Sequence, residues 1–401
     1  MVLTSWAPAK GTVMDMNLLS RAAIVGAYES PRRKANDIHP FQIFHEVVAG
    51  ALDHAGLTFA DVDGLCVTAG DVGEGGSTED VIEIAEYLGI SPRFVDSTDV
   101  GGCSAMVQTA RAAAAIACGM ADTVVVAYAA CPRWFPLGPT NPMSWPVGPG
   151  ALEMPYGISN ITAYGLFAAR HMYQFGTTPE QLASVPVAIR ANAVRNPSAL
   201  MRDPISVSDI LASPMISSPF HKLDCCVVTD SGGAVVLTRR DRANDLRKKP
   251  IQMLGYGEAI TCVHVNQVAD FSVSPGRESG RRAFAAAGLK PADVDVAQFY
   301  DAFSITPLIG LEDLGFCKKG EGGAFVASGA IAASGSIPIN TDGGGLSSNH
   351  PGKRGVFVLI EALRQLWGES PGYQVADCEI SLAHGIGGFF SAASTMLLAR
   401  S

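Results

Sequence analysis

Two widely separated stretches of this chain follow one pattern. Residues 51–66, ALDHAGLTFADVDGLC, and residues 283–298, AFAAAGLKPADVDVAQ, agree at eight positions without a gap. Each reads as a helix, a glycine stop, a polar turn and a strand. A looser echo pairs GMADTVVVAYA (119–129) with QVADCEISLAH (374–384), in the same order along the chain. Two ordered echoes predict a duplication whose halves pack on each other. The expected division is 20–250 and 251–401, and 401 residues suffice for two such units.

Short apolar runs supply the strands: RAAIVGAY (21–28), DGLCVTAG (63–70), TVVVAYAA (123–130), GGAVVLT (232–238), IQMLGYG (251–257), DVAQFYD (295–301) and EISLAHG (379–385). Helical patterns lie between them, and several stop at a glycine suited to a left-handed cap. Strand and helix alternate, so the expected class is α/β with a largely buried sheet. Residues 131–220 break the pattern. They are rich in Pro, Gly, Met and aromatics, then helical from 160 to about 195. They read as an inserted region of loops and helices over one end of the sheet, where substrate contacts commonly lie. Trp134, Phe135 and Trp145 could line an apolar tunnel there or simply pack the loop.

Composition narrows the function. Hydrophobic residues are 48% and charged residues 17% of the chain, enough for a large core. A net charge of −9 argues against a general nucleic-acid partner but leaves room for a phosphorylated small ligand. No apolar run reaches the ~18 residues of a membrane span, and the first twenty residues lack a signal-peptide pattern. Nine cysteines, an odd number scattered along the chain, fit a reducing compartment. The expectation is a cytoplasmic protein.

The stretch STDVGGCSAMVQTARAAAAIACGMADTVVV (97–126) places Cys103 between two glycines and an alanine-rich helix. A helix N-terminus lowers a thiol's pKa and favours thiolate. A cysteine in an apolar setting is as readily a small packed residue. Both readings stand on these residues alone. The pair Cys225–Cys226 lacks metal-site spacing. Asp61, Asp63, Asp293 and Asp295 look like turn residues before strands, and Lys353 and Arg354 suit either a phosphate or a solvated loop.

Four further stretches complete a pattern: SVSDILASPMISSPFHKLDCCVVTDSGGAVVL (206–237), QFYDAFSITPLIGLEDLGFC (298–317), GSIPINTDGGGLSSNHPGKRG (335–355) and SLAHGIGG (381–388). With 97–126 they resemble the thiolase superfamily, in the branch of sterol-carrier-protein-type thiolases and lipid-transfer-like enzymes. The resemblance runs from about residue 20 to the C-terminus. It implies a duplicated five-layered αβαβα fold with an inserted loop domain. It also implies a homodimer or tetramer, coenzyme A thioesters as substrates and no bound cofactor. Relatives often work with a small OB-fold and zinc-ribbon protein, so a separate partner of that kind is expected.

The same resemblance assigns site residues. Aligning Gly119 and the following strand without a gap puts Gly102 at the nucleophile position, with Cys103 one residue and about 100° further round the helix. Lipid-transfer-like members carry GGASG here, and GGCSA is that pattern with one alanine replaced. His350 in SNHPGKRG matches the GHPxG histidine. His384 in AHGIGG matches a second acid/base position, with amides near Gly385 and Gly387 facing a substrate oxygen. Tyr300 opens YDAF, where thiolases have His or Asn and lipid-transfer-like aldolases have Tyr-Asp; Asp301 reads as an anchor for that turn. In those aldolases a second tyrosine replaces the GHPxG histidine, so His350 departs from their pattern. The expected activity is attack on acyl-CoA at the C–C bond next to the thioester, by cysteine-independent retro-aldol cleavage of a β-hydroxyacyl-CoA. An acyltransferase using Cys103 and a non-catalytic acyl-CoA-binding subunit are the alternatives.

Overall fold

The structure, a computed structural model, describes residues 16–68, 80–134 and 149–400. Its strands are β1 (Ala22–Glu29), β2 (Gly64–Val67), β3 (Phe94–Asp96), β4 (Thr123–Ala130), β5 (Met215–Ser217), β6 (Phe220–His221), β7 (Ser231–Arg239), β8 (Ile251–Ile260), β9 (Val296–Phe299), β10 (Ile380–Gly387) and β11 (Ala392–Arg400). All seven expected runs form strands. Four strands fall outside those runs: β3, β5 and β6, each two or three residues long, and β11.

Nine strands join in the order β3-β2-β4-β7-β1-β8-β11-β10-β9, the two halves meeting at the bridge Ile24–Ile251. Each half repeats the other. β2 and β4 run parallel, as do β9 and β10; β7 is antiparallel to β4 and β1, as β11 is to β10 and β8. The counterpart of β3 is a single parallel bridge, Ala297–Ile339. Two aspartates mark the repeat chemically. Asp63 accepts from the amides of Asp122 and Thr123, before and at the start of β4, and Asp295 accepts from those of Glu379 and Ile380 at β10. This clamp also corrects the looser sequence echo: Thr123 corresponds to Ile380, two residues beyond its expected counterpart Cys378.

Five layers follow from which helices are apolar all round. The helices Ser104–Ala117 and Gly355–Trp367 are buried at eleven of fourteen and eleven of thirteen positions. Each touches strands of both half-sheets, and they touch each other, so they form the central layer. Outer helices bury one stripe instead. Pro40–Ala55 lays Ile43, Phe44, Val47, Val48, Ala51 and Leu52 on β1, β4 and β7. Its start is fixed by a capping box at His39, and its end by Gly56 at φ 79°. Gly276–Ala287 covers β8 and β11 from the other side.

The expected helical stretch at 160–195 is two helices, Asn160–Phe175 and Pro179–Ala193, broken at Gly176 (φ 73°) with Thr178 capping the second. They pack over the helix Ile305–Asp313 and the turn Gly344–Ser348. His171 Nε2 lies 3.0 Å from Glu312 Oε1, both side chains fully buried, and ties the inserted region to the second half. Phe135 and Trp145 lie outside the described residues.

Candidate active site

The N-termini of the two central helices meet. A side chain on Gly355 would strike the carbonyl oxygen of Gly102, so the turns Gly101–Cys103 and 349–354 lie against each other. Tyr300, just past the end of β9, reaches into this junction. Its amide donates to His384 O (2.8 Å) and its phenol donates to Gly352 O (2.9 Å). The His350 ring stands edge-on to it, centroids 5.5 Å apart at 88°. Three of the expected residues, Gly102, Tyr300 and His350, are thus brought together.

Gly102 is needed for room. A Cβ there would lie 2.6 Å from Tyr300 Cζ and 2.5 Å from Ile386 O, closer than real contacts allow. The tyrosine ring therefore occupies the space a side chain at the aligned nucleophile position would need. Burial holds the Tyr300 phenol well above its ordinary pKa, so it is a proton donor at neutral pH. Burial, reinforced by the Arg354 charge, lowers His350 to about 4. The imidazole is therefore neutral, and its buried Nε2 has no hydrogen-bond partner. The junction thus holds a neutral imidazole beside a protonated phenol.

Cys103 follows Gly102 at this junction. It is fully buried, its Sγ is 3.8 Å from Val100 O, and its Cβ packs at Gly385 beside Met106. Burial pushes the thiol up to about 12. In this structure Cys103 has the setting of a small packed residue.

His384 lies on β10, beside the junction. Successive β10 residues point to opposite faces, and Gly385 takes the face toward Cys103. The His384 ring therefore turns to the outer layer: Nδ1 lies 2.9 Å from Thr395 Oγ1, and Phe299 packs edge-on at 5.7 Å. Built Cβ atoms on Gly276 and Gly310 would meet the ring, which places it between two outer helices. Its carbonyl holds the Tyr300 amide, and its buried Nε2 has no hydrogen-bond partner. Gly385 and Gly387 have a steric task as well. Side chains there would strike Met106 and Val100 O, so these glycines let the 100–103 turn lie on β10.

A buried ion network, unseen in the sequence, fixes the loop carrying His350. Arg354, expected at a phosphate or in solvent, is instead buried. It donates to Asp301 Oδ1 (3.1 Å), to Asp342 (2.8 and 3.0 Å) and to Asn349 O (2.7 Å). Asp301 also accepts from the amides of Gly345 and Leu346, so it anchors the turn as expected. Lys353 pairs with Asp99 at 2.8 Å. Tyr164, from the inserted region, also went unnoticed. Its buried phenol donates to Gly388 O (2.5 Å), and its ring packs on Phe303 and Phe390. Nothing in the sequence around either residue distinguishes it from ordinary helix and loop positions.

Two matched halves in five layers, with the N-termini of the central helices paired, define a thiolase fold. Residues 257–400 match the family described as thiolase C-terminal domain-like. The chain is 34% identical over 371 residues to 17-hydroxy-3-oxo-4-pregnene-20-carboxyl-CoA lyase of Mycobacterium tuberculosis, covering 88% of this chain and 93% of that one. It is 29% identical over 381 residues to acetyl-CoA acetyltransferase of Methanothermobacter thermautotrophicus, covering 94% and 99%. A solved Ltp2-ChsH2(DUF35) aldolase superposes with TM-score 0.85 at 30% identity, covering 95% of this chain and 98% of that chain. The chain belongs to the thiolase superfamily, in the branch that holds the steroid side-chain aldolases and sterol-carrier-protein-type thiolases.

Proposed function

We propose that this enzyme cleaves β-hydroxyacyl-CoA by a retro-aldol step that needs no cysteine. The observation that carries the reading is the Tyr300 ring filling the space beside Gly102, next to a neutral His350 with an open Nε2. His350 Nε2 takes the β-hydroxyl proton. The oxygen electrons form a carbonyl, the Cα–Cβ bond breaks, and its pair moves into the thioester as an enolate. The Tyr300 hydroxyl turns from Gly352 O onto the enolate oxygen. The imidazolium then returns its proton to the α-carbon, releasing a shorter acyl-CoA and a ketone or aldehyde. Backbone amides at Gly102, Gly385 and Gly387 are the candidates to share the oxyanion.

The acyl group is a lipid, steroid or aryl side chain; the M. tuberculosis relative is named for a steroid acyl-CoA. The outer edge of β3, with Val95 half exposed, suits sheet extension in a homodimer. A separate OB-fold and zinc-ribbon partner fits the likeness to the Ltp2-ChsH2(DUF35) aldolase, which joins two components in its name. All nine cysteines are unpaired, in keeping with a cytoplasmic setting, and no helix among the described residues is long and apolar enough to cross a membrane. The chain divides at 250/251 on this reading, with 131–220 inserted in the first half.

The test is turnover of a β-hydroxyacyl-CoA, with the released ketone measured, by wild type and three variants, with and without the partner. Tyr300→Phe and His350→Asn are expected to lose about 10²-fold or more, while Cys103→Ala keeps wild-type rates. An acyl adduct on Cys103, with activity lost in Cys103→Ala, would overturn the proposal in favour of the acyltransferase.

A further inference from the structure

We propose that Arg354 is the positioning residue that sets Tyr300 and His350 against each other. This rests on the reading just given of those two residues as the acid/base pair. Asp301 directly follows Tyr300, and Asn349 directly precedes His350. One guanidinium bonds both: Nε donates to Asp301 Oδ1 at 3.1 Å and Nη1 donates to Asn349 O at 2.7 Å. The third arm, Nη2, donates to both oxygens of Asp342, at 3.0 and 2.8 Å. A rigid planar fork thus spans the two chain segments whose side chains meet edge-on.

The surroundings leave little slack. Arg354 is 1% exposed, and Asp301 and Asp342 are equally buried. The loop is held from behind as well. Asn349 Nδ2 donates to Glu29 Oε1 (2.8 Å), and Thr229 Oγ1 donates to Asn349 Oδ1 (2.7 Å) while accepting from the His350 amide (2.9 Å). Arg354 also opens the helix Gly355–Trp367, so the fork locks the helix start to the site.

The fork acts on charge as well as place. The groups around His350 are the Tyr300 phenol, after β9, and the Arg354 cation, on its own loop. Asp230, on the segment before β7, is turned away to the amides of Ala35 and Arg133. Glu29 lies behind Asn349 and is paired with Arg33 and Arg364, and Lys353 is paired with Asp99. Arg354 donates none of its arms to the ring, but its charge is near enough to add to burial in opposing protonation of His350.

Arg354→Lys keeps the charge but loses the fork. We expect kcat to fall about 10²-fold with KM within about twofold, an unchanged acid limb of the kcat–pH profile, and a native circular dichroism spectrum. Arg354→Gln removes the charge, and its acid limb is expected to move up toward the ordinary histidine value of about 6.5. If Arg354→Lys does not fold, Asp301→Asn, which keeps the side-chain shape, takes its place with the same expected fall in kcat. Wild-type kcat in a folded fork variant overturns the proposal. So does a loss of activity that only parallels a loss of folded protein, with neither the KM-against-kcat split nor the shifted limb. His350→Asn separates the two levels: if it turns over normally, the functional reading fails and this one with it. If it is inactive while Arg354→Lys is normal, this inference fails alone.

Discussion

Gly102 and Tyr300 exclude each other's alternatives. A Cβ on Gly102 would sit 2.6 Å from Tyr300 Cζ, and the backbone at Ile386 closes the other side at 2.5 Å. The tyrosine is possible because the glycine is there. Gly102→Ala is therefore expected to displace the ring, costing about 1–3 kcal/mol of stability and about 10²-fold in turnover, since a misplacement near 1 Å is enough for that. Gly102→Cys adds a thiol in the same crowded space and is expected to gain no thiolase activity. A crystal structure and a β-hydroxyacyl-CoA assay on both variants check this; full activity in Gly102→Ala would refute the packing argument.

Cys103 is the residue that sequence alone leaves in dispute, and its setting makes a sharp prediction. With its pKa pushed to about 12, the thiolate at pH 7 is about one part in 10⁵. Iodoacetamide is expected to leave Cys103 unlabelled in the native protein while modifying exposed Cys118. Peptide mass spectrometry reads both sites at once. Early labelling of Cys103 would show that the thiol is reactive after all.

His384 is expected to act on stability through its burial. Burial lowers it to about 3, against 6.5 for the free side chain. The unfolded chain thus binds the extra proton between those values. The stability from a neutral His384 is complete above about 6.5 and is lost as pH falls from there toward about 3. Asp301, raised to about 6 by burial, works in the opposite direction, favouring the folded state at low pH and losing that contribution as pH rises through about 6. Only the difference between proteins isolates the histidine. In His384→Gln the drop in urea midpoint between pH 7 and pH 5 is expected to be smaller than in wild type, with turnover largely kept. An equal drop in both proteins would remove His384 as its cause.

Local pattern made the fold legible and left the site half legible. Every apolar run flanked by turn residues became a strand, and glycine stops such as Gly56, Gly288 and Gly368 became left-handed caps. Gly102, Tyr300 and His350, which the fold brings together, could be singled out because each sits in a short motif of fixed order. Which face the His384 side chain takes could not be read, because a strand residue's face depends on register and a shift of one residue reverses it. β11 went unnoticed because its run SAASTMLLA begins with small polar residues that suit a turn as well as a strand. Arg354 could not be read at all. A guanidinium buried by Asp301 and Asp342 has the same local sequence as one in water, and only the fold brings its partners together.

The duplication itself can be tested through its aspartate clamps. Asp63 and Asp295 occupy matched positions in the two sequence repeats, and each accepts two amides where its half's next parallel strand begins. Removing either carboxylate leaves those amides without their acceptor, a loss of about 1–3 kcal/mol. Asp63 is also bonded to Arg93 at 2.8 Å, but that pair is largely in solvent and adds little. Asp63→Ala and Asp295→Ala are therefore expected to destabilise by similar amounts, and the double variant by roughly their sum, since the two clamps share no partner. Urea unfolding of the three variants measures this. A large effect from one and none from the other would mean that the repeat has kept its sequence while losing its mechanical equivalence.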